Sequence, residues 1–98
     1  MKERKFVISL LTHTENLTGA SYQTIVKMLH NMPPFRPTVE TVRAIIERNF
    51  PGFVIDERWQ TVKEQIADSL DYGLFSISVR LPVGDIDFTS FCVSFLEV

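Results

Sequence analysis

The chain has 98 residues, 45% of them hydrophobic and 22% charged, which suits one domain with its own core and excludes a disordered chain. A single cysteine, Cys92, excludes an internal disulfide, and no run approaches the roughly 18 apolar residues of a membrane span. The formal net charge of −2 combines a basic half, residues 1–50 with seven Lys/Arg and four Asp/Glu, and an acidic half, residues 51–98 with three and eight.

The basic start, residues 1–5, resembles the head of a signal peptide. The apolar run behind it is too short, and no small-residue cleavage site follows. With the lone cysteine this leads to an intracellular expectation, nuclear or cytoplasmic. Residues 5–11 (KFVISLL) read as a short buried strand. Residues 12–19 read as a polar loop. Ser21 then caps a predicted helix to residue 32, with Tyr22, Ile25, Val26, Met28, Leu29 and Met32 as its apolar stripe.

Pro33, Pro34 and Pro37 stop that helix, because each removes an amide donor and fixes the backbone. Thr38 caps a second helix with Val39, Val42, Ile45, Ile46 and Phe50 inward, ended by Pro51-Gly52. Phe53-Val54-Ile55 is an apolar connector. Asp56 caps a third predicted helix whose Trp59, Val62, Ile66 and Leu70 share one face, with Gly73 as its stop.

The remainder reads as a hairpin. Phe75, Ile77, Val79 and Leu81 alternate with Ser76, Ser78 and Arg80, residues 82–85 turn, and residues 86–96 return. On the return strand the apolar phase switches between Phe88 and Phe91, which predicts a bulge at Thr89-Ser90. Cys92 and Leu96 lie opposite Phe91, Val93 and Phe95, so this strand is apolar on both faces and reads as an exposed edge.

Strand, three helices and a hairpin make an α+β fold, a winged helix: a three-helix bundle plus a C-terminal β-hairpin, with the N-terminal strand as third strand. Residues 1–98 form one domain on this reading. The chain resembles a forkhead domain best over residues 21–60. The matching residues are Ser21-Tyr22 with Ile25-Val26, then Pro33, Thr38-Val39 with Val42 and Ile46, Phe50-Pro51-Gly52-Phe53, and Trp59-Gln60. The stretch from Phe75 to Arg80 is similar to the strand entering the wing.

The resemblance implies DNA binding, but its DNA-contact positions are not matched. Forkhead recognition helices continue with Asn-Ser and then Arg-His, where this chain has Thr61-Val62 and then Glu64-Gln65. Residues 56–71 hold five Asp/Glu against two Lys/Arg, which opposes phosphate binding. Asp85 and Asp87 stand where a wing carries cations. The residues left for nucleic acid are Lys2, Arg4, Lys5, Arg58, Thr61, Lys63 and Arg80.

No catalytic constellation is legible. His13 and His30 have no ligand-spaced partner, Cys92 reads as an inert buried thiol, and Gly19 and Gly84 form no phosphate loop. The expectation is a non-enzymatic module without cofactor or metal, binding a protein partner or itself as a homodimer, in a transcription or chromatin setting. Its partner-binding residues would be Glu64, Gln65, Asp68, Phe88, Phe91 and Phe95. The alternative is a forkhead-like DNA-binding protein using a non-standard basic surface.

Overall fold

The computed structural model describes residues 2–15 and 21–98. Residues 6, 8 and 10 of the N-terminal strand are apolar and pair with the C-terminal strand, and the ladder continues past Leu11. The result is β1 (Phe6–Glu15), longer than its apolar run. The chain turns back as β2 (Ser21–Leu29), antiparallel to β1. Then follow α1 (Val39–Asn49), β3 (Val54–Ile55), α2 (Val62–Ser69) with a 3-10 turn at Leu70–Tyr72, β4 (Leu74–Pro82) and β5 (Phe88–Glu97). The five strands form one sheet in the order β2-β1-β5-β4-β3, every neighbouring pair antiparallel.

This corrects the winged-helix expectation. A five-stranded antiparallel sheet with two short helices is not a three-helix bundle with a wing. The decisive difference lies at residues 21–32, where the predicted first helix is instead β2. Thr24, Ile25 and Val26 are consecutive β-branched residues, which lose rotamer freedom in a helix and fit a pleated surface. A bulge lets their apolar pattern pass for a helical stripe: Leu10 pairs with Lys27 and Leu11 with Ile25, leaving Val26 as the extra residue. The expected loop over residues 12–19 is strand as far as Glu15, and its remainder lies outside the described residues.

The third predicted helix starts five residues late, capped by Thr61 and not Asp56. Asp56 extends the β3 pairing, its N–H donating to the Ser78 carbonyl, and its carboxylate takes three hydrogen bonds from Arg58. The cap of α2 is Thr61, which accepts from the Glu64 N–H, and Glu57 accepts from the Val62 N–H. Trp59 therefore precedes the helix and is 90% exposed. Gly73, at φ 73°, closes the 3-10 turn in the left-handed region.

The hairpin forms as expected, without the bulge at Thr89-Ser90: pairing runs unbroken from Leu74↔Leu96 to Pro82↔Phe88. β5 is a central strand between β1 and β4, so the edge expected there is not formed, and the sheet's edges are β2 and β3. The N-terminal strand does join the hairpin, through β5.

Both helices cover the same face of the sheet. Phe6, Ile8 and Leu10 of β1, Phe75, Ile77 and Val79 of β4, and Val93 and Phe95 of β5 meet Val42, Ile46, Val62 and Ile66 in one core. Phe75 stacks on Phe95 at 4.5 Å between centroids, with Phe6 and Phe35 edge-on or tilted around them. The proline-rich segment carries Phe35 into this cluster and holds it by two backbone bonds to Arg4, 2.9 and 3.0 Å. Lys27 ties β2 to the layer, donating to the Asn49 carbonyl at the end of α1, where the helix dipole favours a cation.

Candidate interaction face

Because α1 and α2 lie on one side, the other side of the sheet carries no helix. The strand registers place its side chains in rows running across the strands. Val7, Leu96 and Leu74 form the first row. Met28, Ser9, Ser94 and Ser76 form the second. Ile25, Leu11, Cys92 and Ser78 form the third. Ile25, Met28, Leu74 and Leu96 are exposed, Leu96 at 54%. The Ser76 and Ser94 hydroxyls bond each other at 3.0 Å, and the Cys92 thiol lies 3.9 Å from the Ser94 hydroxyl.

These three rows contain no charged side chain. Lys27 of β2 points to the helical side, where it reaches Asn49. In a chain with 22% charged residues, an area of this breadth without one resembles the centre of a protein interface, which is depleted of charge, more than an ordinary solvated surface.

The charges gather at one end. Arg80 of β4 and Arg58 of the loop before α2 lie over the Phe88 ring, 5.7 and 4.6 Å from its centroid. Arg58 is fixed in turn by Asp56, whose carboxyl it holds below the usual carboxylate range, with the Arg80 charge acting in the same direction. Val54, exposed beside Arg80 in the ladder, and Trp59, next to Arg58 in sequence, complete this end. Ile86 stands in the β4–β5 turn, 89% exposed. Arginine, tryptophan and phenylalanine bordering a neutral field is the composition of an interface rich in binding energy.

The residues expected to bind a partner do not form one surface. Phe88 belongs to the helix-free face. Phe95 is fully buried against Phe75, and Phe91 packs on Phe53 at 5.0 Å on the helical side. Gln65 is 6% exposed and bonds three backbone groups, donating to the Asp56 and Gln60 carbonyls and accepting from the Ser78 N–H. It joins α2 to the β3–β4 pair and offers nothing outward. Glu64 and Asp68 are exposed on α2, bonded by Thr61 and Gln60.

The residues expected for nucleic acid are equally dispersed. Arg4 forks onto both Glu97 oxygens at 2.6 and 2.7 Å and also reaches the Leu70 carbonyl, which lowers the Glu97 carboxyl pKa. Arg58 and Arg80 hold Phe88, Thr61 caps α2, and Lys63 borders an apolar groove of about 290 Å³ between the helices. Lys2 and Lys5 are exposed near the chain start.

Sequence reasoning missed the neutral face. Ser76 and Ser78 read as the polar side of a half-buried strand, and only the pairing order shows that with Ser94 they adjoin Val7, Leu11 and Ile25. Trp59 was placed inward by its spacing to Val62.

Burial pushes the Cys92 thiol pKa up, against the direction that activates a nucleophile. Among the described residues no three His, Cys, Asp or Glu side chains gather to hold a metal ion, and no helix is long and apolar enough to cross a membrane. Comparison with known protein families, curated proteins and solved structures finds no match to this chain.

Proposed function

We propose that this protein is a non-enzymatic interaction module that docks a protein through the helix-free face of its sheet. The observation that carries the reading is the three-row neutral field on β2, β1, β5 and β4, with aliphatic side chains exposed at its borders. A face without charge that also exposes aliphatic side chains is what the centre of a protein interface presents. The Arg58–Phe88–Arg80 cluster supplies a rim that orients the partner. The setting is intracellular on this reading, consistent with a buried thiol as the only cysteine.

A DNA-binding role draws less support. Arg4, Arg43 and Arg58 are each paired with a carboxylate, and the remaining candidates do not share a face. Phosphate binding needs several cations presented together.

Photocrosslinking tests the reading. A benzophenone side chain in place of Ser76 should give protein adducts in cell extract, and one in place of Glu47, on the outer side of α1, should not. Adducts from the Glu47 position alone would overturn the assignment.

A further inference from the structure

We infer that the occupant of the helix-free face is a second copy of this chain, the two sheets stacking face to face about a two-fold axis. The inference rests on the docking reading above and adds the identity of the partner.

The first argument is width. Four strands at about 4.8 Å spacing span roughly 19 Å, whereas a partner helix with its side chains is only about 10 Å across. One helix would leave either Met28 and Ile25 or Leu74 uncovered, although all three are exposed. A second sheet covers the four strands at once. Stacked sheets align best when their twists match, and a copy brings the same twist.

The second argument is charge. A surface with net charge repels its own copy, and the neutral rows do not. The serine hydroxyls of the middle row each donate and accept, so Ser9, Ser94 and Ser76 can be joined to the same groups across a two-fold axis through bridging water. Their small size lets the sheets approach to about 10 Å while the aliphatic rows on either side interdigitate. Such self-complementarity is what a two-fold interface requires.

The third argument is area. Strands of nine or ten residues are about 30 Å long, so the four-strand face measures roughly 600 Å² in projection, of which the three neutral rows make up about two-thirds. Side-chain relief brings this towards the about 800 Å² per partner of a stable interface. The product is a four-layer assembly, helices outside and two sheets inside.

Ser94 sits in the middle row, close to the centre of the field, so introducing a charge of either sign there reports on the copy directly. Sedimentation of the purified full chain should give twice the 11.3 kDa protomer mass at micromolar concentration. Ser94→Lys and Ser94→Asp should each be monomeric, with dissociation constants raised at least about 100-fold, and should re-form a dimer when mixed. Mixing keeps the test valid even if either variant is somewhat destabilised, because restored dimer requires folded protomers. Leu96→Lys, at an exposed position, should weaken the dimer while leaving the circular dichroism unchanged.

A wild-type chain that stays monomeric at about 200 µM, weaker than any functional homodimer at ordinary cellular levels, would overturn the inference. So would a dimer that survives Ser94→Lys. If the wild type is monomeric and the Ser76 crosslinker still captures a protein that the Glu47 position does not, the copy is refuted and the docking face stands. If neither dimer nor capture occurs, both fall.

Discussion

The carboxylates Asp56, Glu57 and Glu97 show how single residues fasten the loops and chain ends, Glu57 alone reaching both helices through Arg43 and Val62. Each is hydrogen-bonded by an arginine, Arg58, Arg43 and Arg4 respectively, and each has its pKa lowered, mainly by that bond. The Val62 N–H adds to the effect at Glu57. A carboxylate with a depressed pKa in the folded state contributes stability above its unfolded value of about 4, and loses it as pH falls through the folded value. The urea midpoint should therefore stay level from pH 7 to about 5 and decline below about pH 4. Glu97→Gln should make the acid decline shallower. A decline that began near pH 6 would point to a histidine instead. These residue roles were hard to read in sequence, because Arg4 and Glu97 lie at opposite ends of the chain and meet only when β1 pairs with β5. Gln65 was equally obscure: its position resembled a recognition-helix contact, yet its amide is spent on three backbone groups inside.

Elements differed in legibility for physical reasons. α1 was readable because a threonine cap, a helical apolar period and a Pro-Gly stop all agree, and the structure places the cap at Thr38. The β4–β5 hairpin was readable because strict alternation has no helical counterpart. β2 was misread because Tyr22, Ile25, Val26, Met28 and Leu29 satisfy a helical stripe equally well, and only a bulge reconciles them with a strand. Phe88 broke phase with Phe91 because it belongs to the opposite face, not because the strand bulges. The two faces of β4 make opposite predictions about neighbouring residues. Phe75→Ala opens the stacked phenylalanine cluster and should cost about 3–5 kcal/mol in chemical denaturation. Leu74→Ala, on the half-exposed side, should cost less than about 1 kcal/mol in the protomer. Equal losses at both positions would mean that β4 does not present alternate residues to core and face.

For the whole molecule, the sequence conveyed size and the apolar material of a core, since these follow from composition, but not the five-stranded sheet. It did not convey that the helices share one side, a consequence of strand order, and so it did not reveal the bare face. Its apolar residues come from four strands distributed over residues 7–96, and the serines among them resemble ordinary surface. The account depends most on that face being covered in the working protein. Hydroxyl-radical footprinting of the purified chain at micromolar concentration measures this directly. Tyr72, in the 3-10 turn and 86% exposed, serves as the exposed reference, since it lies outside the three rows and their rim. Leu74, Leu96 and Met28 should be oxidised far less than their exposure in the single chain implies, and should recover in Ser94→Lys. Oxidation of all four residues in proportion to their exposure in the single chain, unchanged by Ser94→Lys, would contradict the account.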